Sequence, residues 1–247
     1  MKLNSRLLIV GTVTLLVGVL VMFPARVAYH WASPPGVAIA GIQGTIWNGR
    51  ALEGEAAGMY LRNIGWRMKP LALFKGQLAF AIEADAASGF VNGDVALSAG
   101  GSAILENLTA SLSLQALQQI VGMPGLEGAA SLRFDRLEFA DGFPVAANGE
   151  VEVANVRVPM VHRSPLGGFR VEFFTQDTGI MASVEDADAV VDLAGSFSLG
   201  LDRAYQFVGQ VAPTSETPTE LREQMRFLGS ADERGNHEFR FEGQLEL

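Results

Sequence analysis

The chain has 247 residues, 49% of them hydrophobic and 18% charged, with 28 glycines and no cysteine. Without cysteine there is no disulfide framework, thiolate metal site, cysteine nucleophile or lipid-bearing cysteine. Lys2, Arg6 and Arg26 are the only charged residues before residue 34, so the remainder carries 15 basic against 27 acidic side chains, net −12. A surface that acidic argues against nucleic acid as a partner.

The first element is an apolar run. Leu7 to Phe23 carries no charge and is interrupted only by Gly11, Thr12, Thr14 and Gly18. At about 1.5 Å per residue it is just long enough for a bilayer core. Basic residues precede it, which the positive-inside rule places in the cytoplasm. Tyr29, His30 and Trp31 follow, as amphipathic side chains do at an interface. The expectation is a cytoplasmic N-terminus over 1–6, a transmembrane anchor over 7–25, a spacer over 26–36 ending in Ser33-Pro34-Pro35-Gly36, and a periplasmic β-rich domain over 37–247. A cleaved signal peptide is the rival reading, but Arg26 to Trp31 offers no pair of small residues at cleavage spacing.

Beyond the spacer the apolar residues recur with period two. Leu78, Phe80 and Ile82 share one side, and Glu150 to Val153, Phe169 to Phe173 and His237 to Glu242 alternate cleanly. Leu132, Phe134 and Arg136 form a noisier version of the same pattern. Such alternation predicts antiparallel strands with one dry face. Asn92-Gly93, Asp141-Gly142 and Asn148-Gly149 have tight-turn chemistry. Ser113 is placed to cap a helix over Leu114 to Val121, ended by Gly122 and Pro124. Thr217-Pro218-Thr219-Glu220 reads as a capping box that opens a second helix, with Leu221, Met225 and Leu228 on one face and Gly229 closing it. A short echo, Gly128 to Arg136 against Gly195 to Arg203, suggests a sheet grown from a repeated meander unit.

Catalytic chemistry is not in evidence. His30, His162 and His237 lie far apart, and none has a nucleophile at useful spacing. Glu185-Asp186-Ala187-Asp188 lacks the alternate-position register of a calcium loop and reads as a solvated turn. There is no Gly-x-Ser-x-Gly elbow and no phosphate-binding glycine order. The expectation is a protein that is not an enzyme, with no metal and no cofactor.

One segment is more specific. Gly41 to Ala51 reads G-x-x-G-T-x-W-x-G-R-A, and Trp66 to Gly76 reads W-x-x-x-P-L-x-L-x-x-G. Gly44 and Gly49 are expected to bracket a strand with Thr45 and Trp47 on one face, and Trp66 to lie in a neighbouring strand as an aromatic partner. Lys69-Pro70 then turns the chain into a short apolar helix, Leu71 to Phe74, ended by Gly76. The candidate residues are therefore Gly41, Gly44, Thr45, Trp47, Gly49, Arg50, Ala51, Trp66, Pro70, Leu71, Leu73 and Gly76. Holding the first corner of the fold is the favoured role, since glycine and buried tryptophan usually serve geometry and packing.

With an apolar anchor ending in Phe23-Pro24 and a closing Phe241-Glu242-Gly243-Gln244-Leu245, these motifs resemble the type II secretion system protein N family. The resemblance covers nearly the whole chain. It implies a mainly β fold, with an N-terminal transmembrane helix followed by a long, curved, largely antiparallel sheet of AsmA-like type and two short helices. It also implies a non-enzymatic accessory role in the export of folded proteins, beside other inner-membrane subunits of the secretion platform and in contact with the bilayer. A periplasmic lipid-binding or lipid-handling groove is the alternative it brings with it.

Overall fold

The computed structural model describes residues 5–32, 36–56, 58–98 and 100–245. Lys2 and the Ser33-Pro34-Pro35 part of the spacer lie outside the described residues. The chain opens with α1 (Ser5–Val21) and α2 (Ala25–Ala32). Strands β1 (Val37–Ala40), β2 (Gln43–Gly44), β3 (Asn48–Ala56) and β4 (Met59–Met68) follow, then a 3-10 helix over Pro70–Lys75. Next come β5 (Gln77–Ala86), β6 (Gly89–Ser98), β7 (Ala103–Ser113) and α3 (Leu114–Val121). The chain continues through β8 (Glu127–Ala140), β9 (Phe143–Arg157), β10 (Gly167–Gln176), β11 (Gly179–Ala189), β12 (Val191–Gly200) and β13 (Ala204–Pro213). It closes with α4 (Thr219–Met225), a 3-10 turn and β14 (His237–Gln244).

All fourteen strands belong to one antiparallel sheet. From β3 to β14 each strand pairs with its neighbour in sequence, while β1 and β2 both pair with β3. The fold is thus one long meander, and no second sheet packs on it among the described residues. Asp141-Gly142 makes the β8–β9 turn with both residues at positive φ, 50° and 78°. That is the type I′ geometry a two-residue hairpin needs.

Register shows how the meander hides its apolar side. Residues paired across antiparallel strands point to the same face. Met68, Phe80, Val95, Leu105, Leu137 and Ala147 form one such ladder across six strands. Leu132, Val151, Val171, Val184, Gly195, Gly209 and Phe239 form another. Phe173, Ala182, Phe197, Phe207 and Phe241 form a third. The opposite face carries charge ladders such as Glu152–Arg170–Glu150 and Glu106–Arg136–Glu138.

Two of the asparagine–glycine pairs sit inside strands rather than at turns. Asn92-Gly93 lies in β6 and Asn148-Gly149 in β9, both at breaks in register. Asn63, Asn107 and Asn155 take positive φ (49°, 52° and 53°) at similar breaks. Bulges bend and twist a sheet, and here β9 and β11 approach each other across β10.

The glycines within strands provide space. A Cβ on Gly149 would lie 2.6 Å from the Phe134 ring, one on Gly209 2.5 Å from the Phe239 ring, and one on Gly243 2.7 Å from the Tyr205 hydroxyl. Each of these glycines is the direct cross-strand partner of that aromatic. The ring therefore lies down over its neighbour's bare backbone, and burial follows without a second layer. On these apolar ladders the exposed large side chain is Phe241 (58%), and Leu97, beside them in β6, is 49% exposed.

The helices cover one end of this face. Ser113 caps α3 as expected, its Oγ accepting from Gln115 N at 3.2 Å, and Gly122 ends it at φ 69°. Leu114 packs with Leu126, Ala130 and Val156, and Leu117 reaches Ala110 and Leu112. Leu221 and Met225 of α4 bury against Val191 and Val211, whereas Leu228 is exposed. Thr217 does not cap α4. Its hydroxyl donates to Val190 O and accepts from Thr214 N at 2.7 Å, tying α4 to the β11–β12 turn. The sequence echo has no structural counterpart, because Asp135 lies within β8 and Asp202 in the β12–β13 turn.

Gly209→Ala is expected to destabilise the protein by about 1–3 kcal/mol, as overpacking does. Because Phe239 supplies the ring atoms it would strike, the cost should shrink sharply in a Phe239→Leu background. A denaturant double-mutant cycle measures this coupling. Additive effects would mean that the ring does not occupy the glycine slot.

Candidate functional site

The motif residues converge where the apolar helix meets the sheet. The described side-chain positions of α1 from Ile9 onward, and Met22 after it, are exposed, so the helix leaves the domain at its C-terminal end. Its seventeen residues rise about 26 Å. Among the described residues, no helix is long and apolar enough to cross a membrane.

Gly44 to Gly49 holds a hairpin turn rather than a continuous strand. Thr45 N donates to Asn48 O at 2.9 Å, and Thr45 Oγ1 accepts from the backbone N–H groups of Trp47 and Asn48 at 3.3 and 3.1 Å. A short hydroxyl side chain that folds onto its own backbone favours a turn over an extended strand. Gly44 sits at φ 88°, where a Cβ would also lie 2.6 Å from Asn48 O. The turn thereby projects Ile46 and Trp47 toward α1.

Three contacts join the turn to the helix end. The Trp47 indole N–H donates to Leu20 O at 2.8 Å, Ile46 N donates to Phe23 O at 3.1 Å, and Pro24 bridges to Thr45. The last carbonyls of a helix have no partner within it; Leu20 O accepts both from Phe23 N at 3.3 Å and from this tryptophan. The sheet holds the turn from its other side. Trp66 Nε1 donates to Thr45 O at 3.1 Å, and Met68 N donates to Trp47 O at 2.7 Å. The two tryptophans are thus linked through the turn's backbone, and their rings do not stack on each other.

Gly49 makes room for the second indole, since a Cβ there would fall 2.4 Å from the Trp66 ring. Ala51 is buried, at 2% exposure, in a small core with Ala25, Ile42, Tyr29, Ile64 and Trp66. Arg50 donates through two nitrogens to Gln43 Oε1, bracing β2 against β3. Gly41, at φ 69°, ends the β1 side of the corner. The sequence signal did not extend to α2, whose Tyr29 hydroxyl donates to Val37 O at 3.0 Å and accepts from Ile39 N at 3.1 Å. Nor did it mark Leu20, which joins the site through its carbonyl.

The second half of the motif is adjacent. Pro70 opens the 3-10 helix and Gly76 closes it at φ 70°. Leu71, Leu73 and Phe74 point outward, at 76%, 54% and 89% exposure. A groove of about 710 Å³ runs beside the corner, lined by Arg50, Arg67, Glu83 and Asp94 together with Trp66 and Ile82.

The remaining candidates for chemistry serve structure. His162 Nδ1 accepts from Ser164 N at 3.1 Å, and His237 Nδ1 lies 2.8 Å from Gly229 O. The acidic run over 185–188 lies in β11 rather than in a turn, and Asp186 accepts from Leu193 N at 2.9 Å. Arg170 holds the Glu152 carboxyl below its usual range, and the Glu53 carboxylate raises the Tyr60 phenol. Both pairs are on solvated strand faces. Among the described residues, no three His, Cys, Asp or Glu side chains are grouped to hold a metal. The arrangement at the corner holds and orients an apolar helix.

The family described as type II secretion system (T2SS), protein N matches residues 35–240. The chain is 28% identical over 245 residues to the type II secretion system protein N of Vibrio cholerae, covering 94% of each chain. It is 26% identical over 236 residues to the protein of that name from Aeromonas hydrophila, covering 92% of each. No solved structure matches.

Trp47→Phe keeps most of the ring and removes the N–H that reaches Leu20 O. Loss of one such bond is expected to cost about 0.5–1.5 kcal/mol, or roughly a two- to tenfold rise in opening of the corner. Trypsin cleavage after the exposed Arg26 reads that opening. An unchanged cleavage rate would contradict the clamp.

Proposed function

Because the chain belongs to the type II secretion system protein N family, we propose that it is a non-enzymatic accessory subunit of that pathway, anchored in the inner membrane by α1 and its flanks with the sheet in the periplasm. The observation that carries this is the clamp between Trp47 and the end of α1. A helix that is apolar all round and exposed on every side needs an apolar solvent. A turn that grips its carbonyl end fixes how the sheet stands on that solvent. Its partners are then the bilayer and other inner-membrane subunits of the secretion platform.

One observation favours a second function. The overlapping apolar ladders that together reach from β4 to β14 resemble what an AsmA-like lipid-binding groove would need. Against it, most large side chains on that face are at least half-buried by the sheet's own curl. The scaffold role is therefore preferred.

The topology is directly testable. Alkaline phosphatase fused after Leu247 is expected to be active, and green fluorescent protein exported unfolded at the same point is expected to stay dark. In a strain that lacks the gene, the full chain restores secretion, and a version with 1–25 exchanged for a cleaved signal peptide does not. An inactive phosphatase fusion, or full secretion by the released domain, would overturn the anchored-subunit role.

A further inference from the structure

We infer that the 3-10 helix Pro70–Lys75 is a second membrane contact, a knuckle whose Leu71, Leu73 and Phe74 dip into the acidic-lipid surface of the leaflet from which α1 emerges. This rests on α1 being a membrane anchor. The knuckle is one of the most exposed apolar features of the domain, with Phe74 at 89%. Three large apolar side chains on one turn cost free energy when left in water.

Position selects the occupant. Met68, two residues before Pro70, donates to Trp47 O, and Trp47 in turn donates to Leu20 O at the end of α1. Two hydrogen bonds therefore separate the knuckle from the point where the helix enters its apolar solvent. Lys69 N also donates to Ala79 O at 2.8 Å, and Ala72 packs on the Ala79, Ala96 and Ile104 cluster, so the sheet holds the knuckle rigidly.

Charge points the same way. The chain beyond residue 33 carries net −12, yet the charged residues next to the knuckle in sequence, Arg67, Lys69 and Lys75, are all basic, while Asp94 and Glu106 line the hollow beside it. Lys69 pairs with Asp94 at 2.5 Å, whereas Arg67 and Lys75 are exposed with no ion pair among the described residues. Apolar side chains flanked by basic ones suit the boundary between acyl chains and anionic headgroups. A Phe-Leu cluster on a rigid turn needs no ordering on insertion, and the anchor keeps it at the surface. A weak individual contact is then sufficient to set tilt.

The natural absence of cysteine allows single labels on the full chain. Phe74→Cys, Val17→Cys in α1 and Phe227→Cys at the opposite end of the sheet would each carry a polarity-sensitive nitrobenzoxadiazole. Each protein is reconstituted in vesicles of phosphatidylethanolamine and phosphatidylglycerol, with and without brominated lipid. A blue shift and quenching are expected at positions 74 and 17, and neither at 227. Quenching at 17 without quenching at 74 would overturn the knuckle and leave the anchor standing. A label at 17 that stays wet would overturn both. Equal quenching at 74 and 227 would mean indiscriminate adsorption and would also overturn the inference.

Discussion

A sheet of fourteen strands with one apolar side has to bury that side, and among the described residues there is no second sheet to bury it against. The described helices cover one end of it, so most of the burial comes from within the sheet. Two devices supply it. Bulges at Asn63, Asn107 and Asn155 curl the meander, and glycines at 149, 209 and 243 let the aromatic across the strand lie flat on bare backbone. Each aromatic exchanges exposure to water for contact with a neighbouring strand. The rest of the fold depends on this, because an upright ring on every strand would leave a wide wet apolar surface.

The first corner uses the same device for another purpose. Gly49 seats Trp66, and the seated indole holds the Thr45 carbonyl of a turn whose own tryptophan holds α1. Packing in the sheet is thereby connected to the position of the apolar helix through a short chain of hydrogen bonds. Thr45, Trp47, Gly49 and Trp66 are needed together for that reason, which explains why the motif is spread over β3, β4 and the turn that leads into β3.

The strands were legible in the sequence where alternation was clean, as over 77–83, 150–153, 169–173 and 237–242. So was α3, because its cap is local: Ser113, Gln115 and Gly122 settle it among themselves. The errors arose where a local signal was put to another use, by a distant partner or by a side chain folding onto its own backbone. Asn148-Gly149 has turn chemistry, yet Phe134 needs the gap. Thr217 has capping chemistry, yet the Val190 carbonyl takes its hydroxyl. Thr45-Ile46-Trp47 alternates like a strand, and the Thr45 hydroxyl turns it back on itself. The motif residues were identifiable by type, while their partners, the carbonyls of Leu20 and Phe23, have no side-chain signature.

The chain belongs to the protein N family, its corner grips an apolar helix, and its sheet buries most of its own apolar face. The most direct test is the lipid content of the apolar face. The full chain, extracted from membranes in mild detergent and washed free of loosely held lipid, can be denatured and its extract weighed by mass spectrometry. A self-closing sheet predicts well below one phospholipid per chain. Stoichiometric phospholipid that survives washing would mean that the face is a filled trough, and would contradict the account.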